Sequence, residues 1–184
     1  MFYTTYHDSP IGRITLAAKD DALAGLWLEN QKYFLASLKG EQTVQRDTPV
    51  LDAAKAWLDC YFAGEKPGIE QLAITPAGSP FRRAVWHILC QIPYGQTMTY
   101  GEIASAIAAQ SGQAHMSAQA IGGAVAHNPI SVIIPCHRVV GSGGSLTGYA
   151  GGIHTKIWLL THEGADMSRL FIPRASASRQ AAHT

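Results

Sequence analysis

The chain has little net charge, few cysteines and no long apolar run, and each shortage narrows what it can be. Lysine and arginine number 14 against 13 aspartate and glutamate, a formal net charge of +1 over 184 residues. Nucleic-acid binding dominated by electrostatics therefore finds no support, and any such binding must rest on shape and on local placement of charge. Three cysteines, Cys60, Cys90 and Cys136, form no CxxC pair. Their odd number argues against a disulfide framework and fits a reducing cytoplasm. No apolar stretch approaches the ~20 residues of a transmembrane helix, so no membrane partner is expected. The opening residues, Met1 to Asp8, carry neither a basic region nor an apolar core and do not read as a signal peptide. No GxGxxG follows a strand, which removes a phosphate cradle. No internal repeat is apparent.

What is present reads as an α/β chain of the α+β kind. Residues 2–7, 11–18 and 22–29 are rich in apolar and β-branched residues between turn signals at Ser9-Pro10, Gly12 and Asp20-Asp21. They predict a small antiparallel sheet. Val50, Ala54, Trp57, Leu58 and Tyr61 recur at helical spacing before Gly64, giving a helix that covers the sheet. Gly64–Gly78, with Pro67 and Pro76, reads as a linker, so residues 1–78 form a first unit. A mostly helical second unit over 79–164 opens at Ser79-Pro80, an N-cap followed by proline at the first helical position. Phe81, Ala84, Val85, Ile88, Leu89 and Ile92 share one face, with Arg82, Arg83, His87 and Gln91 outward. Cys60 and Cys90 fall on these two helices and read as structural. Thr99-x-x-Glu102 is a capping box that starts a helix to about Ala109. Ile153–Glu163 closes the unit as a helix, with Ile153, Ile157, Leu160 and Trp158 inward. Residues 165–184 read as a mobile tail from Pro173 onward.

Between these helices lies Ser117–His127, a short helix of small residues. Gly122 and Gly123 each cost it about 1 kcal/mol relative to alanine, which implies close approach to its backbone. Two readings stand: tight packing on a neighbouring helix, or a helix-turn-helix whose second helix lies against nucleic acid. Asn128-Pro129 ends it. The apolar run Ile130-Ser131-Val132-Ile133-Ile134 then predicts a buried strand, and Pro135 should deliver Cys136 to its exposed end. A lone cysteine is more often a packing residue. One beside a histidine can instead be a nucleophile, because a neighbouring imidazole helps form the reactive thiolate. In extended chain Cys136 and His137 point to opposite sides, so a direct bond between their side chains is not expected. The glycine-dense loop Gly141–Gly152 reads either as a plain connection or as backbone that a flat ligand can approach.

Taken together, Asn128-Pro129, Ile134-Pro135-Cys136-His137-Arg138-Val139, Gly148-Tyr149-Ala150-Gly151-Gly152 and Trp158-Leu159-Leu160-x-His162-Glu163-Gly164 resemble the O6-alkylguanine-DNA alkyltransferases. The resemblance covers about residues 79–164, and more loosely the N-terminal sheet and helix. It implies irreversible transfer of an alkyl group from a flipped-out O6-alkylguanine to Cys136. Through a bridging water, Cys136 would act with His137, and Glu163 behind His137 would stabilise the imidazolium. Asn128 would order the turn holding the cysteine, although a plain helix-terminal asparagine reads equally well from sequence. Tyr100 would donate a proton to the base, Tyr149 and the Ala150 amide would hold the O6 edge, and Val125 and Val139 would line the pocket. Ala150 stands where relatives often have serine.

The same resemblance makes Ser117, Ala118, Gln119, Ala120 and Gly122 the face that enters the minor groove of duplex DNA. Gln119 replaces the usual arginine finger, and the spacing from Tyr100 to Gln119 is longer than usual, an insertion in the turn between the helices. The zinc-binding variants of the family use clustered cysteines and histidines, which this chain lacks, so neither metal nor cofactor is expected. The protein should act as a monomer in the cytoplasm. A binding-only sensor of alkylated DNA is the alternative, set against the presence of Cys136. A cysteine hydrolase would need a distant histidine that does not stand out.

Overall fold

The structure, a computed structural model, describes residues 1–173. Strands β1 (Phe2–Ser9), β2 (Gly12–Lys19) and β3 (Ala22–Leu28) form an antiparallel meander. Asp20 and Asp21 both adopt positive φ, +49° and +60°, the left-handed pair that two-residue hairpins favour. A fourth strand, β4 (Thr43–Gln45), runs parallel to β1, giving the order β3-β2-β1-β4. The sheet is therefore mixed rather than purely antiparallel. All three β4 residues are exposed, so no alternation marked this edge strand in the sequence.

Helix α1 (Pro49–Phe62) starts on Thr48, whose hydroxyl accepts from the Leu51 amide, and buries Leu51, Ala54, Trp57, Leu58 and Tyr61. Spacings of three and four put these on one stripe against the sheet. Val50, expected on that face, is only half-buried. The stretch read as a linker is partly sheet: the Leu23 amide donates to Ala73 O and the Thr75 amide to Leu23 O, both at 2.8 Å. Further along the same β3 edge, Leu26 N donates to Pro129 O at 2.8 Å and Ser131 N to Leu26 O at 3.0 Å. That edge thus anchors the segment that leads to Cys136.

Helix α2 (Pro80–Cys90) is capped by Ser79 as its sequence predicts. Strand β5 (Met98–Thr99) leads into α3 (Tyr100–Ser111), where both halves of the Thr99–Glu102 capping box are formed. Gly112 ends α3 in the left-handed region at φ +66°. Helix α4 (Ala118–Ala126) follows, packed on α3 and on α2, where Trp86 Nε1 donates to Ala124 O at 2.9 Å. A Cβ added at Gly123 would meet nothing within 4 Å, and one at Gly122 would touch only the Tyr100 ring at 3.9 Å. Packing on a neighbouring helix therefore does not explain these glycines. Their face of α4 is open.

Strand β6 (Val139–Val140) pairs parallel with β5, and α5 (Ile153–His162) closes the chain over them. One buried cluster runs from Leu16, Leu26 and Leu58 to Leu89, Ile103 and Leu159, so sheet and helices share a core. Residues 165–173, read as the start of a tail, belong to the fold. Ala165 is buried, Leu146 N donates to Phe171 O at 2.8 Å, and Phe171 N donates to Gly144 O at 3.1 Å. The rest of the expected mobile tail, beyond Pro173, lies outside the described residues. No described helix is long and apolar enough to cross a membrane.

Candidate active site around Cys136

The run Ile130–Ile134 is not a strand. Ile130 makes a single bridge to Leu26, and residues 131–133 turn back with Val132 at φ +69°. A β-branched residue there is strained and persists only where its surroundings hold it. Asn128 supplies that hold. Its Nδ2 donates to Ile134 O at 2.8 Å and lies 3.4 Å from Ile130 O, while its Oδ1 accepts from Ile130 N at 3.0 Å. Buried backbone groups need partners, and here one side-chain amide replaces a neighbouring strand. The helix-terminal reading of Asn128 is thereby set aside, because its side chain is buried and bonded.

The turn delivers Cys136 not to an exposed strand end but into a short 3-10 turn, Cys136–Arg138, where Cys136 is only 4% exposed. Asn128 Nδ2 also donates to Cys136 Sγ at 3.1 Å. Burial pushes the thiol above its ordinary range, while the Asn128 hydrogen bond and the Lys156 charge pull it back. A donor amide and a nearby cation are what a thiolate needs in an apolar site.

His137 follows, fully buried, with Nε2 2.6 Å from Glu163 Oε1. A carboxylate can only accept, so Nε2 carries the proton and Nδ1 presents a lone pair. That Nδ1 has no hydrogen-bond partner among the described residues. Burial pulls the imidazole below its usual range against the pull of Glu163, so it rests neutral, a base with an open acceptor. No hydrogen bond joins the Cys136 and His137 side chains among the described residues, although the turn is not the extended chain from which that was expected.

Glu163, at the end of α5, is the most heavily bonded carboxylate in the described chain. Oε1 accepts from His137, from Tyr61 Oη at 2.7 Å and from Arg138 Nη2 at 3.1 Å. Oε2 accepts from Arg138 Nε at 2.8 Å and from the Gly95 amide at 3.0 Å. Burial would raise this carboxyl, but the His137 and Arg138 bonds outweigh it and hold the group far below the usual carboxylate range. It stays ionised.

Around the thiol stand two phenols and an amine. Tyr100, at the start of α3, points its hydroxyl at Thr147 O, 3.4 Å away, and burial pushes it up to about 12. Tyr149 meets His137 edge-on at 6.5 Å; burial raises it further, and its hydroxyl has no partner among the described residues. Both are therefore protonated donors. Val125 on α4 and Val139 on β6 are buried beside them. Ala150 is half-buried in the glycine loop. Ser117 caps α4 and is exposed together with Ala118, Gln119 and Ala120, and Gly122 sits against Tyr100. The expected residues thus gather as one inner group at Cys136 and one outer face on α4.

Three participants were not singled out from sequence. Tyr61 reaches Glu163 from α1, but its helical spacing marked it only as core. Arg138 lies inside the motif, where nothing local marks its bond to Glu163. Lys156 is fully buried, donating to Val139 O at 2.5 Å and Thr147 O at 2.9 Å, and burial lowers it to about 8. A signal for it existed: with Ile153, Ile157 and Leu160 it occupies the apolar stripe of α5, an unusual place for lysine. No group of three or more His, Cys, Asp or Glu among the described residues is placed to hold a metal ion.

Comparison with known proteins fits this geometry. Residues 1–76 match the 6-O-methylguanine DNA methyltransferase ribonuclease-like domain, and residues 80–165 match the DNA binding domain of the same proteins. A methylated-DNA–protein-cysteine methyltransferase of Mycolicibacterium paratuberculosis is 42% identical over 157 residues, 85% of this chain and 88% of that protein. One from Haemophilus influenzae is 35% identical, covering 88% and 86%. The crystal structure of Mycobacterium tuberculosis OGT in complex with DNA superposes with a TM-score of 0.76 at 39% identity, covering 91% of this chain and 94% of that one. This chain belongs to the methylated-DNA–protein-cysteine methyltransferase family.

Proposed function

We propose that this protein repairs DNA by moving the alkyl group of an O6-alkylguanine irreversibly onto its own Cys136. The observation that carries this reading is the bonded array at the thiol: Asn128 Nδ2 on Sγ, and beside it an imidazole whose far nitrogen is fixed on Glu163. This is the arrangement of an activated nucleophile with an oriented base.

The thiol proton passes through a water to His137 Nδ1, and Glu163 stabilises the imidazolium formed. Sγ attacks the alkyl carbon, the carbon–O6 bond breaks, and its electron pair goes to the guanine. Tyr100 lends the base a proton, while Tyr149 and the Ala150 amide hold the O6 edge. With alanine at 150, no side-chain hydroxyl assists there. Val125 and the Val139 backbone line the pocket. Displacement at a saturated carbon needs neither oxyanion hole, metal nor cofactor. The thioether cannot be hydrolysed back, so each molecule acts once. The binding-only alternative is not favoured: Cys136 is present, and the curated relatives are named as methyltransferases.

Cys136 is buried, so a base must leave the duplex to reach it, which costs a few kcal/mol of unstacking. The open glycine face of α4 supports an approach through the minor groove, with Ser117, Ala118, Ala120 and Gly122 against the backbone and Gln119 at the gap left by the base. Glutamine can bond the orphaned base but adds no charge toward phosphate. A monomer working in the cytoplasm completes this reading.

Stoichiometry tests it. Given excess duplex carrying O6-methylguanine, the protein should remove one methyl group per molecule and then stop. Many product molecules per protein would overturn the single-use mechanism.

A further inference from the structure

The loop that follows β3 is built at some cost and touches both sides of the site. Asn30, Tyr33 and Leu35 all adopt left-handed backbone, with φ of +63°, +63° and +53°. None is glycine, and such residues persist only where contacts over-determine them. The contacts are specific. Gln31, buried, accepts from Leu28 N at 2.8 Å and from Ser131 Oγ at 3.1 Å, tying the loop to the turn before Cys136. The Lys32 amide donates to Ala150 O at 2.9 Å. Tyr33 stacks on His127, with ring centroids 4.0 Å apart and planes 22° from parallel. His127 in turn holds Gly123 O at 2.7 Å through Nδ1, on the open face of α4. Lys32 Nζ lies 5.0 Å from the Tyr33 ring centroid, closing the group.

Two consecutive residues thus bridge the glycine loop carrying Ala150 and the end of α4 that runs into Asn128. Leu28, at the end of β3, completes the support: a Cβ on Gly151 would lie 2.7 Å from its Cδ1. We infer that the loop Asn30–Leu35 is a clamp across the alkyl-acceptor pocket, with Tyr33 and the Lys32 amide as its positioning groups. This rests on the alkyl-transfer reading. The clamp fixes the Ala150 wall, which would hold the O6 edge, relative to the Asn128 turn, which holds the sulfur. In-line displacement is sensitive to that separation, and displacements of about 1 Å can cost a hundredfold in rate. The first unit of the chain would therefore set pocket geometry without touching the reacting atoms.

The test compares Tyr33→Ala, Tyr33→Phe, His127→Ala and the double alanine variant. Each is assayed for alkyl transfer from O6-methylguanine duplex and from free O6-benzylguanine, alongside its melting temperature. Tyr33→Ala and His127→Ala should each lose about tenfold in second-order rate constant on both substrates. The double variant should lose no more than either single one, since both remove one stack. Phenylalanine, which keeps the stack, should restore the rate to within about twofold. A wild-type rate in both alanine variants would overturn the clamp, as would a loss that tracks melting temperature and that phenylalanine does not rescue. A wild-type protein that accepts no alkyl group would overturn the alkyl-transfer reading, and the clamp with it.

Discussion

Replacing His137 by alanine should slow alkyl transfer about a hundredfold or more, the usual worth of a positioned base, and change its pH dependence. In the wild type, burial pushes the Cys136 thiol up and the His137 imidazole down, so both rest neutral. The reaction then needs only a neutral imidazole. That form dominates above the depressed imidazole value, which lies below 6.5, and Lys156 keeps its charge up to about 8. Between those limits the wild-type rate should be nearly flat. Without His137, sulfur must lose its proton to solvent, and the rate should climb about tenfold per pH unit across the same window. Glu163→Gln should act through the same imidazole, so the double variant should lose much less than the product of the two single losses. Rate constants measured over that window decide the point. A flat profile in His137→Ala, or two fully multiplicative losses, would remove the relay.

The second large effect is on folding. Arg138 is 8% exposed, grips both Glu163 oxygens, and donates from Nη1 to Ile92 O at 2.5 Å. Arg138→Met should destabilise the protein by about 3–5 kcal/mol near neutral pH, because it leaves a buried carboxylate with neutral donors alone and no cation. The pH dependence follows from the direction of the Glu163 shift. Its folded value lies far below the ordinary 4.5, so its stabilising contribution is present above that value and is lost as pH falls through the folded one. The variant keeps the His137 pull on this carboxyl and loses the Arg138 part of it. The deficit should therefore be largest above pH 4.5 and shrink in acid, as the unfolded carboxyl takes up its proton. Denaturant melts at neutral and acidic pH check this, and a loss under about 1 kcal/mol at both would contradict it.

Local signals carried much of this fold into the sequence. The Thr99–Glu102 box, the Ser79-Pro80 cap and the Asp20-Asp21 turn act within a few residues, and each stands where its chemistry predicts. Distant bonds were hidden. The run Ile130–Ile134 is as apolar as a strand, but the Asn128 amide pairs with its two ends, Ile130 N and Ile134 O, and holds it as a turn. Periodicity reads burial and not which group supplies the hydrogen bonds. The same blindness placed Cys136 at an exposed end and left β4, all of it exposed, unnoticed. Motif order identified Glu163 beside His137, yet Tyr61 and Arg138 on the same carboxylate could emerge only once α1, the Cys136 turn and α5 were packed together. Lys156 was legible in principle, as a lysine on an apolar stripe.

Of the three thiols, Cys136 alone should take the alkyl group. Burial pushes Cys90 to about 11, and the nearby Glu65 carboxylate raises Cys60; neither has the amide donor that Asn128 brings to Cys136. The protein should be incubated with duplex bearing isotopically labelled O6-methylguanine, digested, and its cysteine peptides weighed. One labelled methyl on Cys136, none on Cys60 or Cys90, and no label in Cys136→Ala is the result expected. Label on either other cysteine, or undiminished labelling of Cys136→Ala, would contradict it.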